Sequence, residues 1–470
     1  MTRQPHLKER IRARMAKTGE RYAVARDHVV GAPSPIGAPS PVGAPGPIGA
    51  PGPIGAAGLS LLVRGIRHLP GVHPESTALR VVATHAGVHG ADGAPLSEAL
   101  TFVIGGGVGI GVFQFVYEKE DFASFFVGGG HRWDDARAFL EAGGRRLGLE
   151  AQVVESGGAR QAAVQLEAAT ANGPAVAWVD IAELGTCGYP AEWAGGGYHV
   201  LVVYGRDDAG AWLVGDLAPE PIALAPDTLA RARARITKQR HRLMTVVRPA
   251  GDTPTDLADA VRSGLRATVD GLHNPRSRNF GLAALADWAD RLEGHGRDSW
   301  SLAFPRGRRL WNGLTFLHQF VECHGTGGGL LRPLFATGLR EAADVARTDA
   351  LRDAADRYAA LGDAWTDLAR AALPDGVPLL REAREIQADT ARRYLSEGPA
   401  AAPELLRRIE RLRDIGTEVA ADFPLTESEV SDLRADLARR VRAIHAAEGA
   451  ALDELATIVG PSATIVGPSA

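Results

Sequence analysis

The hydrophobic pattern of the chain changes near residue 255, and this change restricts the folds that the chain can adopt. From Thr255 to Ala456, apolar residues recur at positions i, i+3 and i+4, which is typical of amphipathic helices. Before residue 255, short runs of β-branched and aromatic residues, which favour buried strands, alternate with helical segments. We therefore expect an α+β domain with an antiparallel sheet over residues 59–250 and an all-α helical domain over residues 255–456.

Eight helices are predicted in the second domain, and the last one differs from the others. Their spans are 257–269, 280–292, 310–323, 330–348, 351–372, 379–397, 403–423 and 427–456. The last segment carries a charge pattern typical of an exposed or partner-facing helix. A homo-oligomer that forms through this domain is therefore one expected arrangement.

Both ends of the chain carry segments that are not expected to join a core. Residues 1–30 form a basic tail without the apolar stretch of a signal peptide, which indicates a cytoplasmic protein. Residues 31–58 are a linker of Gly/Ala/Pro hexapeptide repeats, predicted to be extended and polyproline-like, with a docking strip for a proline-reading partner as the alternative. Residues 457–470 repeat one heptapeptide, either by plain duplication or as a tail displayed as a substrate.

Composition excludes several classes of function. The net charge is −4, from 52 basic and 56 acidic residues, so nothing argues for a nucleic acid or a membrane surface as partner. The two cysteines, Cys187 and Cys323, exclude a disulfide framework and a thiolate zinc site. Gly105 to Gly111 is glycine-rich but lacks the Lys-Ser/Thr of a phosphate loop, so no cofactor is expected.

A predicted hairpin carries the first candidate for chemistry. His199 begins the apolar run that ends at Tyr204, and Asp216 follows the next strand, so the two side chains are expected at the same edge of the sheet. There a carboxylate can hold an imidazole in the tautomer that a general base needs. The alternative is a structural histidine at a strand edge.

A papain-like site also needs a nucleophile at a helix N-terminus, where the helix dipole lowers the pKa of a thiol. The helix predicted after His73 begins with Pro74, which offers no nucleophile. Ser76 lies in the first turn, where a hydroxyl more often caps the helix than reacts. Cys187, in a loop near His199 in sequence, is a second substitute.

Further polar and glycine-rich segments are candidates for binding. Gly106, Gly107 and Gly109 are expected either to pack closely or to face a bound acyl or pantetheine chain, and Tyr198 is a candidate substrate contact. The segment from Gly325 to Gly329 is predicted mainly to end the preceding helix. The close spacing of three polar residues indicates a solvated or capping cluster, with a metal site as the alternative: His318, Glu322 and His324. No metal is predicted.

A series of segments resembles a known family in order and spacing. They are Gly71–Arg80, Leu96–Leu100, Gly105–Gly109, Phe126–Gly129, Val179–Asp180 and Gly197–Gly205. Over residues 65–245 the chain resembles the butirosin biosynthesis protein H N-terminal domain family. The helical remainder, with Gly281–Leu285 and Gly325–Arg332, is similar to the uncharacterised helical domain that often follows it.

The resemblance implies a papain-like (peptidase C39-like) fold and transfer of an aminoacyl group from an acyl carrier protein to an amine. The family's nucleophile is a cysteine directly after the loop histidine, whereas this chain has the pair His73-Pro74. His199 and Asp216 match the family pattern. We therefore expect an acyltransferase-like protein of natural-product biosynthesis with His73, His199 and Asp216 in its cleft, an acyl carrier protein as possible partner and a small amine as acceptor. The alternatives are a binding or scaffold pseudoenzyme and a peptide-modifying protein that uses its C-terminal repeat.

Overall fold

The structure is a computed structural model that describes residues 61–189, 193–249 and 255–460. The predicted basic tail and the repeat linker lie outside the described residues, as does the C-terminal repeat from residue 461 onward. Within the described ranges, no helix combines the length and the apolar character that a membrane span requires.

An antiparallel sheet forms the centre of the first half of the chain. Its strands lie in the order β4-β9-β5-β6-β7-β8, and β1 pairs with β6. Runs of valine and alanine bury both faces of the central strands, as expected for a sheet that is covered by helices. The strands are β1 Leu61–Leu62, β4 Glu150–Val154, β5 Ala175–Asp180, β6 Tyr198–Arg206, β7 Trp212–Gly215, β8 Ile222–Leu224 and β9 Leu243–Val247.

Six helices accompany this sheet, and polar residues cap several of them. Ser97 accepts a hydrogen bond from the Leu100 N–H at the start of α2, and Asp135 does the same for Ala138 in α3. The helices are α1 Pro74–His85, α2 Glu98–Gly105, α3 Ala136–Arg146, α4 Ala159–Thr170, α5 Ile181–Leu184 and α6 Pro226–Arg235. The predicted α+β class is confirmed.

A separate hairpin joins the first half of the chain to the second. Strands β2 (Val108–Tyr117) and β3 (Phe122–Gly130) pair only with each other among the described strands. Phe125 of β3 is fully buried, and its ring contacts Trp288 (5.0 Å) and Trp300 (5.1 Å) of the second half. The hairpin therefore packs into the helical region, and one continuous apolar core runs through both halves of the chain.

The second half is helical, as predicted, and the helix bounds agree closely with the sequence pattern. The helices are α7 Leu257–His273, α8 Gly281–Glu293, α9 Trp300–Ala303, α10 Arg308–His318, α11 Arg332–Ala346, α12 Ala350–Ala372, α13 Pro378–Glu397, α14 Ala402–Ala421 and α15 Glu427–Val459. Helix α10 continues as a π-helical turn over Gln319–Cys323. Such turns often occur at functional sites.

The last helix corrects one expectation. Helix α15 is not an exposed, partner-facing helix along its length, because an apolar stripe that includes Leu437, Val441 and Leu452 is fully buried. Glu448 is also fully buried, and it accepts hydrogen bonds from Arg332 (2.7 Å) and from the Trp365 indole (2.9 Å). The other charged residues of α15 occupy its outer face. Glu448 is buried, which the charge pattern of the sequence did not indicate.

Candidate active site

The N-terminus of helix α1 is held in place by hydrogen bonds to Glu98. The Glu98 carboxylate accepts the N–H groups of Val72 (3.0 Å) and His73 (2.8 Å). His73 is the N-cap residue, and its Nδ1 accepts the N–H of Ser76 (3.2 Å). Because Nδ1 is an acceptor, the neutral ring carries its proton on Nε2, which lies 3.1 Å from the Glu75 carboxylate. His73 and Glu75 are therefore fixed relative to each other.

A second polar group lies at the edge of the sheet. His199 Nε2 donates to Asp216 Oδ1 (2.7 Å), and the Tyr394 hydroxyl of α13 donates to Asp216 Oδ2 (2.6 Å). All three side chains are buried. Because Nε2 is bonded to Asp216, Nδ1 carries the lone pair of the neutral ring and is the nitrogen that can accept a proton. The structure thus brings together the histidine and the carboxylate that the hairpin pattern predicted.

The loop before His199 is fixed by Asp180 at the end of β5. Its Oδ2 accepts the Gly195 N–H (2.5 Å), and its Oδ1 accepts the Ala182 N–H (3.0 Å). Gly197 passes so close that an added Cβ would lie 2.9 Å from Asp180 Oδ1. A glycine is therefore needed where the chain turns into β6 and delivers His199.

Burial and charge act against each other in the His199–Asp216 pair. Burial alone would lower the pKa of His199, but the charge of Asp216, its hydrogen bond and the charge of Glu75 outweigh burial and raise it. Burial would raise the pKa of Asp216, but His199, the Tyr394 hydroxyl and the Leu217 N–H hold it below its usual value. The raised pKa of His199 makes its neutral ring a stronger base than a free histidine, and Asp216 stabilises the imidazolium that forms when Nδ1 accepts a proton.

Both groups open onto one cavity of about 1090 Å³, a size that suits a bound small molecule or an extended chain. The end of α1 contributes His73, Pro74 and Glu75, and the sheet edge contributes His199. The helical half supplies the facing wall, from the segment 318–328 and from α13. Neither half of the chain encloses this cavity by itself.

The helical half also places His324 in the cavity. His324 Nδ1 lies 3.4 Å from the Tyr189 hydroxyl and 3.3 Å from Gln319 Nε2. Burial, together with the charge of His199, lowers the pKa of His324 to about 4, so this ring stays neutral at physiological pH. With Nδ1 as the acceptor, its Nε2–H is a donor.

The glycine loop after His324 lies directly over the start of α1. An added Cβ on Gly325 would be 3.0 Å from Pro74, and one on Gly327 would be 2.9 Å from Val72. The loop continues through left-handed conformations at Leu330 (φ 50°) and Leu331 (φ 69°), where a side chain costs conformational energy. The Gly325–Gly329 segment, predicted as a helix stop, thus also forms the cavity wall above α1.

Two models of known families match parts of the chain. Residues 73–216 match the family model described as butirosin biosynthesis protein H, N-terminal. Residues 73–216 form a domain of that family. Residues 227–405 match the model of a domain of unknown function, DUF4872, which covers most of the helical half. A search of curated proteins found no match.

Within the butirosin biosynthesis protein H N-terminal domain, the substitute nucleophiles are poorly placed. The Ser76 hydroxyl is fully buried and lies within hydrogen-bond distance of the His73 ring (3.0 Å) and of Glu98 (3.1 Å), so it is held among the polar groups at the start of the helix. Cys187 does line the cavity, but burial and the nearby charge of Asp216 raise the pKa of its thiol to about 12. A protonated thiol is a weak nucleophile.

The predicted substrate contacts are divided between two places. Tyr198 borders the cavity and remains partly exposed. The three glycines are instead buried beneath other groups and are not among the residues that line the cavity: an added Cβ would meet the ring of His131 at Gly106, that of Phe335 at Gly107 and the Gly130 carbonyl at Gly109. Their backbone is used for close packing in the part of the chain that the structure describes.

The polar cluster in the helical half makes hydrogen bonds within the protein. His318 Nδ1 is bonded to Gln387 (2.7 Å), and Glu322 accepts the Gly329 N–H (3.1 Å) and the Thr366 hydroxyl (2.8 Å). Among the described residues, no group of three potential ligands is arranged to hold a metal ion. That His324 and His199 line one cavity could not be predicted from the sequence, because 125 positions separate the two residues in the chain.

Proposed function

We propose that this protein transfers an acyl group from a carrier-protein thioester to an amine, with His199 as general base and without a covalent acyl-enzyme. The observation that carries the proposal is the buried Tyr394–Asp216–His199 relay, whose base shares a cavity with the N-terminus of α1. A domain of a family named for butirosin biosynthesis supports a role in natural-product biosynthesis. The cavity is large enough to hold donor and acceptor together, which makes the attack effectively intramolecular.

The reaction needs one bond to form and one to break. The acceptor nitrogen attacks the thioester carbonyl carbon, and His199 Nδ1 takes the proton that the nitrogen loses. The tetrahedral intermediate then releases the thiolate, which receives that proton from His199. Asp216 keeps His199 in the required tautomer throughout, and Tyr394 holds Asp216.

Two groups are suited to stabilise the negative charge on the carbonyl oxygen in this step. The N-terminal end of α1 borders the cavity, and its dipole favours negative charge. The neutral His324 presents an Nε2–H donor from the helical half. Glu75 also lines the cavity, and its negative charge attracts an amine acceptor in its ammonium form.

A binding or scaffold role without catalysis is the second candidate, and Pro74 favours it. Proline removes the thiol that the family uses and also the backbone N–H of that residue, which is a possible oxyanion donor. Direct transfer by proximity needs neither group, which is why we place it first.

The test uses the full chain with acyl-loaded carrier protein or acyl N-acetylcysteamine thioesters and a panel of amines. Amide product is measured by mass spectrometry and thiol release by a chromogenic reagent. We expect His199→Gln to lower kcat/KM by about a hundredfold or more. His85→Gln, a histidine outside the cavity, serves as the matched control and should leave the rate unchanged.

Three results separate the candidates. Donor binding without amide formation from any pair would support the scaffold role and contradict transfer. An acyl adduct on Cys187 in the intact mass would contradict the direct route. A modified C-terminal heptapeptide in that same spectrum would instead support the peptide-modifying alternative.

A further inference from the structure

One wall of the cavity is a continuous row of aromatic side chains, which we call the aromatic wall: Trp133, Phe113, Phe115, Phe126, Phe320 and Tyr189. From Trp133 to Phe320 each ring contacts the next, and Phe320 and Tyr189 both pack against the ring of His324. The centroid of Phe113 lies 5.8 Å from that of Trp133 and 6.4 Å from that of Phe115. Phe126 is 5.9 Å from Phe115 and 5.1 Å from Phe320. Such contacts form a single apolar surface.

The aromatic wall ends at the reacting groups. Phe320 packs edge-on against His324 (5.6 Å), and the Tyr189 ring lies 5.9 Å from the same imidazole. Because His324 and His199 line the same cavity, the wall leads from its far end at Trp133 to the place where the carbonyl carbon would react.

Apart from Phe126, which is buried, the rings of this wall are left partly exposed, unlike several other phenylalanine rings in the protein. Phe102, Phe125 and Phe139 are at most 1% exposed, whereas Phe113 and Phe115 are only half-buried. Alternation along β2 places these last two on the same face of the strand. Apolar surface that faces a cavity in this way is typical of a ligand site.

At the far end of the wall, the Trp133 ring packs closely against the backbone of the hairpin. Gly111 and Gly128 are paired across the hairpin, and an added Cβ on either would lie about 2 Å from the Trp133 ring. The indole therefore lies flat on the backbone of the hairpin. Asp134 and Asp135, which also border this end, are paired with Arg276 and Arg132, so the carboxylates next to Trp133 are neutralised.

We propose that the aromatic wall binds the acyl part of the donor and that this acyl group is apolar, either an aryl or a long alkyl chain. The inference rests on the proposed function only in taking the ligand to be an acyl thioester. A polar aminoacyl group would have to give up its hydration against the phenylalanine rings of the wall, which offer no hydrogen-bonding partner. The wall thus separates an apolar acyl end from the polar reacting end at His199 and Glu75.

Binding is measured without an amine, by the fluorescence of the native tryptophans or by calorimetry, on the full chain. The probes are phenylacetyl, octanoyl, glycyl and 4-aminobutyryl N-acetylcysteamine thioesters. We expect the two apolar thioesters to bind at least about tenfold more tightly than the two polar ones. Phe115→Ala should weaken the binding of the apolar probes about tenfold. Val116→Ala, next on the strand but outside the cavity, should leave it unchanged.

Phe115→Leu distinguishes the two kinds of apolar group, because it keeps most of the volume and loses the ring. An aryl site then loses affinity for phenylacetyl and keeps octanoyl, whereas an alkyl site keeps both. Equal or tighter binding of the polar probes, absence of binding by both apolar probes, or equal effects of Phe115→Ala and Val116→Ala would each overturn the inference. Selective binding of apolar probes without any amide formation would overturn only the proposed function.

Discussion

At the scale of single residues, the buried pair of His199 and Asp216 couples stability to pH. Because the pKa of His199 is raised, its contribution is complete below the ordinary value of 6.5 and is lost as the pH rises through the folded value. Because the pKa of Asp216 is lowered, its contribution is present above 3.8 and is lost as the pH falls through the folded value. We expect the difference in free energy of unfolding between wild type and His199→Gln to be largest between pH 3.8 and pH 6.5. Urea denaturation at a series of pH values measures this difference. A difference that does not change with pH would contradict a stabilising interaction between His199 and Asp216.

Pro74 occupies the position at which the family resemblance implies a nucleophilic thiol, and a single substitution places a thiol there. In Pro74→Cys the new sulfur stands at the first position of α1, where the helix dipole lowers the pKa of a thiol. We expect iodoacetamide at neutral pH to label this cysteine faster than it labels Glu427→Cys, which occupies the exposed first position of helix α15. Adding His199→Ala should slow labelling of the first variant only. Equal rates in the two variants would mean that the cavity does not activate a thiol at position 74.

At the scale of elements, Arg332 at the start of α11 ties three segments together. It is fully buried and donates to Glu448 of α15, to the Gly129 carbonyl of β3 (3.2 Å) and to the Gly109 carbonyl of β2 (3.1 Å). Glu448→Gln leaves this guanidinium without a counter-charge. We expect a loss of about 3–5 kcal/mol in the free energy of unfolding, measured by urea denaturation.

Two further variants are matched to Glu448→Gln. Arg440→Ala breaks an exposed pair with Asp436 on the same helix and should cost no more than about 0.5 kcal/mol. Arg332→Leu combined with Glu448→Leu removes both charges and should lose less stability than the single Glu448 change. If the exposed and buried changes cost the same, the buried pair does not anchor the hairpin.

The elements themselves could be predicted well from the sequence, but their contacts could not. Periodicity gave the span of nearly every helix, because amphipathic repeats are local properties of the chain. The hairpin pattern brought His199 and Asp216 together, because a short turn fixes which strand ends are neighbours. Tyr394 was not predicted as a site residue, and His324 was singled out only as a member of a polar cluster, since each reaches the cavity through packing between segments that are far apart in sequence. The role of Glu448 was hidden for the same reason, within a helix whose other charges face outward.

At the scale of the whole molecule, the two halves share one core and one cavity. The β2–β3 hairpin belongs to the first half in sequence but packs between helices of the second. We therefore expect residues 61–249 expressed alone to lack a cooperative thermal transition, followed by circular dichroism. Co-expression with residues 255–460 should restore a folded complex that elutes as one species. A separately cooperative first half would contradict the shared core.

The position of Pro74 has a consequence for how such a protein can change over evolution. The first position of a helix is the one at which proline is best tolerated, since its missing N–H has no partner there and its fixed φ suits the helix. A change from cysteine to proline at this position would therefore remove a nucleophilic thiol without disturbing α1, its histidine cap or the facing glycine loop. A single substitution at this position could therefore convert a covalent catalyst into a protein that works by holding its ligands together, or the reverse, with the rest of the cavity unchanged.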